Sequence, residues 1–158
     1  MTRSADRFTT PVAVHLFLTR GDDVLMLSRF NTGYEDGNYS VIAGHLDGGE
    51  TIVAAMCREA REEAGVELDP ASVEVVGMMH RLSNDERIDF FLATDRWSGD
   101  VRNVEPHKCD ELRWVPIYHL PDNTIPYVTV AVENWRNGDW FGMFGWNEDA
   151  EGAWRGQG

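Results

Sequence analysis

Gly44-His45-Leu46-Asp47-Gly48-Gly49-Glu50, continuing through Arg58-Glu59-Ala60-Arg61-Glu62-Glu63-Ala64-Gly65-Val66, reads as a glycine-rich loop, one helix and a glycine stop. At about 100° per residue, a helix over Thr51 to Ala64 puts Glu59, Glu62 and Glu63 within an arc of about 100°, since i, i+3 and i+4 share a face. Val53, Met56, Cys57, Ala60 and Ala64 form the neighbouring apolar stripe, which must pack against something. The helix is thus anchored by one face and aims three carboxylates from the edge of that face. Like charges at this spacing destabilise a bare helix by a few tenths of a kcal/mol per pair, roughly. A divalent cation would remove that repulsion, and clustered carboxylate oxygens suit Mg²⁺, with Mn²⁺ as the alternative. Three glutamates alone would better suit a solvated acidic face on so acidic a chain.

The surrounding pattern decides against the solvated face. Gly44, five residues, Glu50, seven residues, then Arg58-Glu59-Ala60-x-Glu62-Glu63-x-Gly65-Val66 resembles the Nudix box at all nine defining positions over 23 residues. The chain is similar to the Nudix hydrolases over most of its length. Many relatives carry a proline at the loop entry where Val41-Ile42-Ala43-Gly44 has Ile42. The resemblance implies an α/β fold, an α/β/α sandwich around a mixed β-sheet, and hydrolysis of a nucleoside diphosphate linked to another moiety. It makes Glu62 and Glu63 the main metal ligands, Glu59 a ligand or the base that orients water, and the Ala43 carbonyl a backbone ligand. Relatives differ in which glutamate is the base, so that role stays with no single residue.

Length and composition bound the alternatives. At 158 residues the chain suits one domain with a sizeable core, its ends (1–8 and about 147–158) being loose. A net charge of −13 argues against sequence-independent nucleic-acid binding, which needs a basic footprint. It does not exclude a small anionic nucleotide that arrives with its own metal. Cys57 and Cys109 make no disulfide framework and read as reduced thiols. With no apolar run long enough to span a bilayer and no h-region at the amino terminus, the expected location is cytoplasmic, away from membranes.

Along the chain, Val12-Ala13-Val14-His15-Leu16-Phe17-Leu18 reads as a buried strand, Gly21-Asp22-Asp23 as a turn and Val24-Leu25-Met26-Leu27 as its hairpin partner. His15 reads as a core or pocket-wall residue. Ser28 to Gly37 is a loop whose Arg29 and Tyr34 are candidates for contacting substrate; its aromatics either stack a base or cover a core edge. Tyr39 to Ala43 is a strand entering the Gly44 loop, where Gly48 and Gly49 permit backbone conformations that bring the chain close to a ligand. Gly44 and Gly49 are therefore substrate-side candidates. Thr51 suits an N-cap and Gly65 a C′ stop, and Arg58 stands four residues before Glu62, placed to steer it.

Val73 to His80 and Ile88 to Ala93 form a second hairpin, closed by Trp97-Ser98-Gly99-Asp100. The acidic loop that feeds Leu112-Arg113-Trp114-Val115-Pro116 resembles the later part of MutT-type members, in which a loop glutamate supplies a further ligand or the base. Glu105 is the candidate by position and Glu111 the reserve. Ile125 to Trp135 reads as a second helix on the opposite sheet face, ended by Asn137-Gly138-Asp139. The aromatic tail from Trp140 to Trp146 is expected to lie against the body or in a homodimer interface.

The helix amino end and loop amides are expected to attract phosphate. By resemblance the substrate is a nucleoside triphosphate, cut to monophosphate and pyrophosphate. ADP-sugars, dinucleotides and dinucleoside polyphosphates remain alternatives, as does a domain that only binds a nucleotide and regulates a partner.

Overall fold

The first apolar run becomes β1 (Val12–Arg20), in which every side chain from Ala13 to Leu18 is buried. A strand without polar alternation must be covered on both faces. The turn at Gly21, at φ 60°, returns the chain as β2 (Asp23–Arg29). This computed structural model describes residues 6–146; residues 1–5 and 147–158, read above as loose, lie outside the described residues. Phe8, the last residue of the amino-terminal segment read as loose, is exposed.

The strand expected over 39–43 is two strands, β3 (Tyr39–Ser40) and β4 (Ile42–His45), broken at Val41. β3 pairs antiparallel with β2, and β4 pairs antiparallel with β1, so the chain changes partner at the break. That change sets Gly44 opposite Val14 and leads into the loop before α1 (Ile52–Ala64). Thr51 caps α1, its hydroxyl accepting from the Ala54 N–H at 3.0 Å. Gly65 ends it in the left-handed conformation, at φ 69°. α1 buries Ala55, Met56, Ala60 and Ala64 against Val14, Leu16 and Leu18 of β1. Ala55 was not in the predicted stripe, while Val53 and Cys57 are only partly buried.

β5 (Glu67–Leu68) and a short turn of 3₁₀ helix lead to β6 (Glu74–Leu82) and β7 (Glu86–Thr94), an antiparallel hairpin. β7 runs parallel to β1, from Val12 opposite Ile88 to Leu18 opposite Thr94. The segment expected to close this hairpin instead forms β8 (Trp97–Ser98), which pairs with β5. β9 (Cys109–Pro116) joins β2 antiparallel. α2 (Pro126–Asn137) starts with proline, whose missing N–H costs nothing in a first turn, and stops at Gly138, φ 79°. It buries Val128, Ala131 and Val132 against Phe17 and Met26, on the sheet face opposite α1. The result is a mixed sheet between two helices, as expected. Part of the aromatic tail adds β10 (Phe141–Phe144), parallel to β6 at the sheet edge. Trp140 and Phe141 remain exposed there.

Thr51→Ala removes the side-chain acceptor of the first turn of α1 and is expected to lower stability by about 1 kcal/mol. Thermal denaturation should record a drop of a few degrees, roughly, for a chain of this size. An unchanged Tm would show that the turn finds another acceptor.

Candidate active site

Between the second half of α1, the β4 edge and the loops after β2 and before β9 lies a cleft of about 650 Å³. That volume lies within the range of small-molecule sites. Eight of the residues singled out in the sequence line it: Ala43, Gly44, Glu59, Glu62, Glu63, Glu105, Arg29 and Tyr34. Arg58 and Gly49 are not on its walls. Gly48 and Gly49 hold φ of 86° and 74° with open space where a side chain would be, so the turn itself requires glycine there. The lining of α1 comes from Glu59, Glu62 and Glu63 only, about 12 Å along the helix from Thr51. The amino end expected to attract phosphate therefore does not contribute to the cleft wall.

Gly44 is glycine for a steric reason. A Cβ at this position would stand 2.0 Å from Glu59 Oε2, so the bare backbone is what lets the carboxylate lie against β4. Arg58 does more than steer Glu62. Its guanidinium donates to Glu50 at 2.8 Å, Glu59 at 2.9 Å, Glu62 at 3.4 Å and the His45 carbonyl at 3.2 Å. It thereby ties the loop to the helix, and it holds the Glu50 carboxyl below its ordinary range.

Glu63 is the unusual member. Its Oε2 is fully buried and has no hydrogen-bond partner. Burial first, then the hydrogen bond and like charge of Glu59, then the charge of Glu105, push its pKa well above the ordinary carboxylate range; the Ala43 backbone N–H opposes this. A buried, unsatisfied oxygen beside a second carboxylate fits a hard divalent cation. The Glu59 carboxylate, lying where a Cβ would be, adds a second oxygen donor on the same wall. Among the described residues no three His, Cys, Asp or Glu side chains converge at ligating distance; Arg58 lies between Glu59 and Glu62 instead.

The two loop glutamates separate. Glu105 faces the cleft, its carbonyl accepting from the Lys108 and Cys109 N–H groups in a turn at 2.8 and 2.9 Å. Glu111 sits in β9, accepts from the Tyr39 hydroxyl, and lines a separate depression beside Trp97 and Trp114.

Sequence reading did not assemble the inner end of the cleft. There Arg81 donates to Asp89 at 2.6 and 3.1 Å, its guanidinium lies 3.7 Å from the centre of the Tyr127 ring, and Tyr127 Oη meets His15 Nε2 at 3.0 Å. All four are buried. Burial brings the His15 pKa down to about 4, against the opposing charge of Asp89, so the ring is neutral at pH 7. Burial likewise pushes the Tyr127 phenol up. Asp89 within the apolar run Ile88-Asp89-Phe90-Phe91 was the available signal, since a buried charge needs a partner.

A family model described as NUDIX domain matches residues 9–131. The chain is similar to the NAD-capped RNA hydrolase NudC of Stutzerimonas stutzeri, 28% identical over 106 residues, covering 67% of this chain and 36% of that protein. It is also similar to the 8-oxo-dGDP phosphatase NUDT18 of Mus musculus, 39% identical over 116 residues, 70% of this chain and 33% of the relative. The chain thus spans about a third of the length of these two curated relatives. Among solved structures, a MutT NUDIX hydrolase from Burkholderia pseudomallei superposes with a TM-score of 0.73 at 22% identity, over 80% of this chain and 98% of that one. This likeness shows the fold.

Glu63 gives a pH prediction. An acid whose folded pKa is raised destabilises the fold wherever the unfolded chain has released the proton, so its penalty grows as pH rises above the ordinary value of 4.5. Glu63→Gln removes it. In metal-free buffer the variant should melt above the parent, with a gap that widens as the pH rises above the ordinary carboxylate range. A gap that is constant or reversed would contradict the burial of the Glu63 carboxyl beside Glu59.

Proposed function

The chain belongs to the NUDIX family, and from that membership we propose that it is a metal-dependent hydrolase of a phosphoanhydride bond in a nucleoside diphosphate derivative. The first reading is a nucleoside triphosphate cut to monophosphate and pyrophosphate. The observation that carries it is the buried, unpartnered Glu63 oxygen beside Glu59, in a cleft of nucleotide size. Glu59, Glu62 and Glu63, with the Ala43 carbonyl, would hold Mg²⁺ or Mn²⁺. When bound, the metal neutralises the diphosphate, polarises phosphorus and lowers the pKa of attacking water.

The chain's own residues supply the rest. Arg58 fixes the loop against α1 and so sets where Glu59 stands. Glu105 faces Glu63 from the opposite loop, in position to orient water or take its proton. Lys108 and Arg87, on the same walls, bring positive charge to the phosphate chain, and Arg29 and Tyr34 border the part of the substrate beyond it. A second reading, a dinucleotide pyrophosphate as substrate, is favoured by the similarity to NAD-capped RNA hydrolases. The screen that tests both offers nucleoside triphosphates, NADH, ADP-ribose and dinucleoside polyphosphates with Mg²⁺ and with Mn²⁺. Metal-dependent turnover of none would favour a domain that only binds.

Two further outcomes are expected. If Glu105 takes the proton, Glu105→Gln should lower kcat by roughly 10²- to 10⁴-fold, and Glu111→Gln should leave it near the parent value; the reverse ranking would move the role to Glu111. With a turned-over triphosphate, free phosphate should be detected only after inorganic pyrophosphatase is added. Direct phosphate release with accumulating nucleoside diphosphate would refute this cleavage mode and leave the carboxylate assignment standing.

A further inference from the structure

β9 is an open edge of the sheet. It pairs with β2 and with no other described strand, and β2 gives its opposite edge to β3. At the two ends of β2, the Asp22 carbonyl accepts from the Ile117 N–H and the Phe30 N–H donates to the Lys108 carbonyl, so its even-numbered residues face β9. Their partners Glu111, Arg113 and Val115 turn their backbone groups inward. The N–H and C=O groups of Leu112 and Trp114 therefore point outward, and no backbone group among the described residues meets them. An unpaired edge of this kind is a template for a further strand.

The side chains decide which strand fits. Glu111 and Arg113 lie on one side of the sheet beside Tyr39: Glu111 accepts from its hydroxyl, and Arg113 Nη1 donates to it at 3.5 Å. Both are exposed. Leu112 and Trp114 lie on the other side, partly buried, with Arg20 over the Trp114 ring at 4.2 Å. When a second copy of β9 is laid antiparallel about a two-fold axis, facing residues share a side of the sheet, so one residue must face itself. With Leu112 on the axis, each Glu111 faces the Arg113 of the other copy, and the two Leu112 residues exchange N–H···O bonds. Moving the axis one residue either way sets Glu111 against Glu111 or Arg113 against Arg113, and like charges directly opposite are destabilising.

We propose that β9 is a self-complementary edge through which two copies of this chain pair antiparallel, centred on Leu112. Charge on an edge strand ordinarily hinders pairing. Here it opposes the two adjoining symmetric registers and favours the central one, so the same two side chains hinder chance pairing and admit a second copy. Two residues from the axis, Trp114 and the Arg20 above it stand opposite the second copy's Asp110, a further match of charge. The aromatic tail, paired to β6 at another edge of the sheet, takes no part. The proposal is independent of the hydrolase reading.

Sedimentation velocity at about 150 mM salt, where exposed charges more than about 8 Å apart are largely screened, tests it. The parent should dimerise reversibly as its concentration rises. Arg113→Glu and Glu111→Arg each set like charges opposite one another and should weaken dimerisation about tenfold. An equimolar mixture of the two variants should dimerise as the parent does, because every facing pair is then of opposite charge. Circular dichroism checks that each variant folds. Leu112→Cys reads the register: facing residues that exchange hydrogen bonds stand about 5.5 Å apart at Cα, within reach of a disulfide. Mild oxidation should cross-link this variant and not the parent, whose Cys57 is partly buried and Cys109 buried. If a charge reversal fails to fold, the cross-link alone decides. A parent that stays monomeric to about 1 mM, a dimer that neither reversal weakens, a mixture that does not restore it, or a Leu112→Cys chain that does not cross-link would overturn the proposal.

Discussion

Holding one oxygen of the Glu63 carboxyl, Oε2, buried without a hydrogen-bond partner is the constraint from which the rest of the molecule follows. A buried acid beside a second carboxylate is unfavourable by burial and by repulsion together, and a helix bearing it needs an anchor elsewhere. Ala55, Met56, Ala60 and Ala64, all wholly buried, supply that anchor on the adjoining face. Their small size is part of the design: three alanines let the helix axis approach β1 closely, which brings Glu59 within reach of β4. Gly44 then removes the one Cβ that would block it.

The partner change between β3 and β4 serves the same end. By leaving β2 at Ser40 and joining β1 at Ile42, the chain carries Ala43 and Gly44 to the mouth of the cleft rather than along the sheet edge. Arg58 completes the arrangement by bridging Asp47, Glu50 and Glu59, which ties the loop to the helix. On the far side, Arg81 and Asp89 neutralise each other inside the sheet, and His15 stays uncharged. That buried group therefore adds no net charge to the cleft wall.

Much of this was legible in the chain because it is local. The spacing of Glu59, Glu62 and Glu63, the Thr51 cap, the Gly65 stop and the unbroken apolar run of β1 are each set within a few residues. What sequence reading missed is long-range. Tyr127 and His15 are 112 positions apart, and nothing in either neighbourhood announces the other. β10 is four residues with a glycine inside, too short for alternation to mark, and it exists because β6 offers an unpaired edge. β8 was read with the hairpin beside it, but two-residue strands take whichever partner the fold brings near, and that partner is β5. The expectation of phosphate at the α1 amino end was local, whereas the place of the cleft, further along the helix, is set by the sheet.

The central claim is that the three α1 carboxylates form one divalent-cation site. It is tested most directly by electron paramagnetic resonance of Mn²⁺ titrated into the protein without nucleotide. Bound Mn²⁺ loses the sharp six-line signal of the free ion. The parent chain should quench that signal to saturation, and a variant with Glu59, Glu62 and Glu63 all changed to Gln, its fold checked by circular dichroism, should leave it undiminished. Equal quenching by the folded triple variant would place the cation elsewhere and contradict the claim.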